Sequence, residues 1–148
     1  MLAFISSAES ADYSLNFVYS WVVGPTFYWN FGATKDKPVP ERHFALGFQV
    51  SYYRFVTNES VPVGINLGIE YDFHENTRLY SELQSGYYYG GLALGAVAEI
   101  KEQKTKFGFQ SSLWLGALLF GSARYRKFQD ESYWAPGFTL SVPVYIKE

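Results

Sequence analysis

Two stretches, VPVGINLGIEYDF at residues 61–73 and LALGAVAEI at residues 92–100, change chemical character at nearly every step. In the first, Val63, Ile65, Leu67, Ile69, Tyr71 and Phe73 form one wholly apolar face. Between them fall Gly64, Asn66, Gly68, Glu70 and Asp72. A polar tetrad, His74 to Thr77, interrupts the pattern, which returns in Arg78 to Tyr89 and again with Leu92, Leu94, Ala96, Ala98 and Ile100. A period of two is a strand signature, because successive side chains point to opposite faces of a sheet. One face carries the bulk; the other carries glycine and small or acidic polar groups.

That distribution predicts a membrane β-barrel wall, with lipid outside and a polar interior. The composition agrees. Aromatic residues make up 20% of the 148-residue chain against 18% charged, where a soluble domain has about 25% charged. The chain is long enough for one domain. A net charge of −2 without a basic patch excludes a nucleic-acid partner. The absence of cysteine excludes a disulfide framework and thiolate metal sites. Mean hydropathy is only −0.10 and no run of 18 apolar residues exists, so no transmembrane helix is expected. An alternating barrel strand averages to near zero and escapes that test.

Residues 1–12 read as a lead-in or signal-peptide remnant, and residues 13–148 as the barrel: all-β, single, antiparallel, up-and-down, with eight strands favoured. Tyr13 to Phe31 keeps one apolar parity, with Gly24-Pro25 in its middle as a turn or a bulge. Phe44 to Phe55 continues the wall. Gly90-Gly91 reads as a two-residue hairpin turn, because the apolar parity switches there from odd to even. Phe107 to Leu115 follows. Gly116-Ala117 reads as another tight turn, after which Leu118 and Phe120 carry the outward parity toward Arg126. Phe138 to Ile146 closes the chain, with Pro143 facing inward. Breaking at one of Gly24-Pro25 and Gly116-Ala117 gives eight strands, the even count of single-chain bacterial barrels. The second choice is preferred: it gathers residues 34–42, 74–77, 101–106 and 128–136 as loops at one end and short turns at the other. It also places six of the seven lysines at one rim.

The competing fold is a soluble lipocalin-like cup, whose outside would carry lysine, glutamate and threonine. Here all seven lysines lie in or beside expected loops or chain ends. Phe17, Tyr19, Trp21, Phe27 and Trp29 would leave a large apolar patch in water. By its alternation and turn spacing over Tyr13 to Glu148, the chain resembles the small eight-stranded outer-membrane barrels of Gram-negative bacteria. The resemblance implies the outer membrane as location and the lipid bilayer, with lipopolysaccharide, as surroundings. One difference is the ending Tyr145-Ile146-Lys147-Glu148, where many such proteins end on an aromatic residue.

Glu70, Asp72, Arg78, Glu82 and Glu99 all face the expected interior. Unpaired buried charge is costly, so these groups are expected to form a lumen charge network. Gln49, Gln84, Gln110 and Tyr80 complete it as a plug. Inward Tyr28, Tyr53, Tyr88, Trp114 and Tyr145 read as filling. The alternatives are an ion or proton path through a narrow channel, and a lipid-modifying barrel enzyme using His43 or His74 with Ser132 at the rim. No spacing enforces a nucleophile, base and orienting acid. Catalytic residues, metal ligands and cofactors are therefore not assigned. The expected role is a structural or accessory envelope subunit, meeting a partner through loops 34–42 and 128–136 or through the lipid-facing wall.

Overall fold

The computed structural model describes residues 17–34, 37–56, 59–73, 76–87, 89–116 and 119–144. The lead-in at 1–12 lies outside them, as do His74, Tyr88 and Tyr145. Nine strand segments form: β1 (Phe17–Thr34), β2 (Lys37–Val56), β3 (Glu59–Asp72), β4 (Asn76–Tyr87), β5 (Gly90–Lys101), β6 (Lys104–Gly116), β7 (Leu119–Lys127), β8 (Glu131–Leu140) and β9 (Val142–Val144). Each of β1 to β8 pairs antiparallel with its neighbours in chain order, and β1 pairs with both β2 and β8, which closes the sheet. β9 lies on β1 in the same register as β8, with Thr26 opposite Thr139 and Trp21 opposite Val144. It is the same strand, broken at Ser141. The fold is an eight-stranded antiparallel barrel.

Of the two ambiguous turns, Gly24-Pro25 is not one. β1 runs through both residues, pairing Gly24 with Gln49 and Pro25 with Phe48. The chain reverses after Gly116 instead. Pro143 sits opposite Val22 on β1, whereas β7 begins only opposite Leu140. Its missing N–H thus falls where the strand has one described neighbour, which limits the cost.

The wall is inside-out relative to a water-soluble barrel. Large apolar side chains stand exposed on the outer surface, among them Leu67 at 54%, Leu83 at 61% and Phe107 at 77%. Inside are Glu70, Asp72, Glu82, Gln110 and Arg126, all buried. Along β3 the outward apolar run spans Val63 to Phe73. At roughly 3.4 Å per residue and a tilt near 40°, it covers about 26 Å along the barrel axis, the height of a bilayer's apolar band. The outer rings interlock: Phe27 and Phe138 stack at 4.8 Å, and Trp29 and Phe44 meet at 5.4 Å. This is the organisation of a transmembrane β-barrel.

Three sequence expectations shift. The hairpin placed at Gly90-Gly91 turns two residues earlier: Tyr87 pairs with Gly90 and Gly86 with Gly91, so the connection is residues 88–89. The parity switch survives the shift because the loop is still two residues long. The paired glycines serve packing, since a Cβ on Gly91 would lie 2.5 Å from the Trp114 indole and one on Gly86 2.7 Å from it. Second, the stretches 34–42 and 128–136 are largely paired strand, not loop. Gly32 pairs with Glu41 and Thr34 with Lys37, and Ala33 pairs with Ser132. Strands that project past the apolar band sit in water, so their polar composition resembles that of a loop. Connections are consequently short at both ends of the barrel.

Third, β7 presents the opposite faces from those expected. Gly116 pairs with Phe120, so three residues, 117–119, make the connection where two were expected. Gly116 carries φ +137°, a conformation that suits glycine. An odd-length connection preserves parity, so Phe120, Ser122, Arg124 and Arg126 face inward while Leu119 faces out. That single residue reverses the expected faces of the whole strand.

Candidate functional site in the barrel interior

The interior charge is built from cross-strand pairs. Glu70 on β3 lies opposite Arg78 on β4, and Arg78 lies opposite Glu99 on β5. Asn66 lies opposite Glu82, which lies opposite Gly95, which in turn lies opposite Gln110 on β6. Gln110 lies opposite Arg126, and Ser112 opposite Arg124, on β7. Inner-face neighbours on adjacent strands stand close enough to interact directly. Gly95 has no side chain, so the Gln110 amide reaches across β5 and donates to Glu82 Oε1 at 2.8 Å.

All five residues expected to form the charge network are buried inside the barrel. Arg78 Nε donates to Glu99 Oε2 at 2.6 Å and Arg78 Nη2 to Asp72 Oδ2 at 3.1 Å. The Tyr133 hydroxyl donates to the same Glu99 oxygen at 3.1 Å. Glu70 is held by arginines the sequence reading placed on the outer face, and Glu82 by inner-face groups it placed correctly. Arg124 Nη1 and Arg126 Nη2 both donate to Glu70 Oε1, the latter at 2.6 Å. Glu82 accepts from Asn66 at 2.9 Å, from Gln110 and from Ser112, with Arg124 Nη2 3.7 Å away. Arg126 Nε donates to Gln110 Oε1, joining the Glu70 and Glu82 clusters through one amide.

The described interior thus carries Arg124 and Arg126 in addition to Arg78. A signal for the missing pair was present. Four inward carboxylates against one guanidinium is a poor balance for a buried network. Two arginines on a lipid-facing strand would each cost about 2–4 kcal/mol near the bilayer centre. Both conflicts vanish when β7 is flipped.

Aromatic rings clamp the guanidiniums. The Arg124 Cζ lies 4.3 Å from the ring centroid of Tyr28 and 4.3 Å from that of Tyr80. Its Nη2 also donates to the Tyr80 hydroxyl and to Gln49 Oε1, each at 3.2 Å. Arg78 lies over the Tyr133 ring at 5.1 Å and Arg126 at 5.8 Å. Cation–π contacts of this kind gain strength when the cation is desolvated. Gln84 and Trp114 line a small cavity on the side of Arg124 toward the start of β1 and the end of β9.

Of the rim groups considered for catalysis, the two described ones, His43 and Ser132, do not converge. His43 lies opposite Asn30, an inward residue, whereas Ser132 lies opposite Ala33 on the outward parity of β1. The two therefore face opposite sides of the wall. Strand spacing and rise put their backbones roughly 14 Å apart, too far for the hydrogen bond a nucleophile–base pair needs. Among the described residues no cluster of histidine, aspartate and glutamate has the arrangement of a metal site. Lys106 and Glu131 form an ion pair of 2.6 Å at the rim, with the lysine side chain half exposed.

No protein-family model matches the sequence, and no curated protein matches it. Among solved structures the chain is similar to a de novo designed transmembrane β-barrel, at 12% identity and TM-score 0.47, covering 80% of this chain and 95% of that one. It is also similar to Ail, the attachment invasion locus protein of Yersinia pestis. Against the Ail crystal structure the identity is 14% and the TM-score 0.42, covering 84% of this chain and 97% of that one. Against the backbone structure of Ail in phospholipid bilayer nanodiscs the values are 11% and 0.40, covering 80% and 99%.

Proposed function

We propose that the protein is a bacterial outer-membrane barrel with a plugged polar lumen, acting as a non-enzymatic structural or accessory component of the cell envelope. The observation that carries this reading is Arg124. Its guanidinium binds Glu70, reaches Gln49 and the Tyr80 hydroxyl, and lies over the rings of both Tyr28 and Tyr80. A side chain so held supports a fixed plug, because moving it leaves Glu70 and Glu82 with less compensation in a low-dielectric interior. The charge network of Glu70, Asp72, Arg78, Glu82 and Glu99, with Arg124 and Arg126, is then a stabilising core in place of the apolar one a soluble barrel would have.

With the interior filled, the surfaces left for partners are the wall and the rim. The wall meets the bilayer, and the lysines at one rim suit lipopolysaccharide. The paired projections that contain residues 34–42 and 128–136 present a mixed-charge edge to a protein partner. Fractionation of native membranes followed by crosslinking from Lys104 and Lys127 tests the role. Recovery in the outer membrane with a defined crosslinked partner supports it. A changed lipid A profile on deletion of the chain would favour a lipid-modifying enzyme instead.

A further inference from the structure

Between the Arg124 layer and the barrel end at which β1 begins and β9 ends lies a cavity of about 30 Å³. Its lining includes Gln84, Ala93, Ser122, Trp114, Phe120 and Arg124. Trp114 and Phe120 meet edge to face at 5.5 Å on its outer side. Trp114 is held in place by the Gly86–Gly91 pair, which leaves room for its indole. Three buried donors on lining residues, Trp114 Nε1, Gln84 Nε2 and Arg124 Nε, make no hydrogen bond within the protein. The nearby Glu82 carboxylate is already engaged by Asn66, Gln110 and Ser112. The lining therefore has donors to spare.

A buried N–H without a partner costs about 1–3 kcal/mol, so such groups are normally satisfied. The cavity has room for about two waters, since each needs roughly 10–15 Å³ of this measure. Hydroxyls of Ser122, Thr139 and Ser141 in the lining supply the further partners a bound water requires. An anion would meet the Arg124 guanidinium, but that charge is already paired with Glu70, and the Glu82 carboxylate of the same lining repels a second negative charge. We propose that this cavity is a built hydration site, holding a pair of waters that accept from the Trp114 indole and the Gln84 amide. The site goes beyond the plugged reading and is tested separately from it.

The test uses the folded barrel in nanodiscs with ¹⁵N-labelled tryptophan, and Trp114→Phe to assign the indole signal. The Trp114 indole proton is expected to show a cross-peak to long-lived water. Ala93→Leu, which fills the cavity from β5, is expected to abolish that cross-peak while the barrel keeps its heat-modifiable migration. Ser122→Leu fills the cavity from β7 and replaces it if the first variant does not fold. Absence of the cross-peak in the unsubstituted protein would overturn the proposal, as would its persistence in a folded cavity-filled variant. A saturable shift of the Trp114 signal with sodium bromide would overturn it in favour of a halide site.

Discussion

Tyr80 lies flat against Gly68, its cross-strand partner on β3, so closely that a Cβ on Gly68 would stand 2.1 Å from the ring. Gly137 does the same for Tyr28, whose ring atoms would lie 2.3 Å from an added Cβ. The two tyrosines that flank the Arg124 guanidinium are thus both positioned by glycines on the inner wall. The glycine-rich face noticed in the sequence is a set of recesses for aromatic rings.

Gly68→Ala is therefore expected to displace Tyr80 and loosen the contact with Arg124. Overpacking of this kind costs about 1–3 kcal/mol. Urea unfolding of the barrel in lipid vesicles measures it. A midpoint unchanged from the parent chain would show that the ring has room to move.

The Glu70–Arg124 pair is expected to be worth far more as a pair than its members are singly. Glu70→Gln or Arg124→Met alone leaves a buried charge with less compensation and is expected to cost about 3–5 kcal/mol. The double variant is expected to cost less than the sum of the two, and a double-mutant cycle in equilibrium unfolding reads the coupling. Additive effects would mean that the two charges do not hold one another.

On the outside, Leu67 stands at mid-wall on β3, 54% exposed. Leu67→Arg is expected to destabilise the barrel in a bilayer by about 2–4 kcal/mol. Lys127→Leu at the rim is expected to change stability little. Equal effects at the two positions would argue against a lipid-facing wall.

Most of the fold was legible because period-two alternation is a geometric necessity in a strand with unlike faces. It pointed Glu70, Asp72, Arg78, Glu82 and Glu99 toward the interior, where the structure buries them. Alternation says less about connections. Gly90-Gly91 looked like a turn because glycine suits turns, yet glycine also suits a wall against which Trp114 packs, and the sequence does not separate the two uses. At Gly116 the length of the connection, two residues or three, decided the facing of all of β7. That error hid Arg124 and Arg126, the groups that complete the site. The extended strands at 37–42 and 131–136 were hidden for a different reason: paired backbone in water has the composition of a loop.

In the proposed plug, the Arg124 layer seals the lumen. Single-channel recording in planar bilayers tests it most directly, comparing the parent barrel with Arg124→Ala after both are shown to be folded. The parent chain is expected to give no steady conductance, and Arg124→Ala a small steady one as the guanidinium leaves the space beside Tyr28 and Tyr80. Steady conductance through the parent chain would contradict the plugged lumen outright.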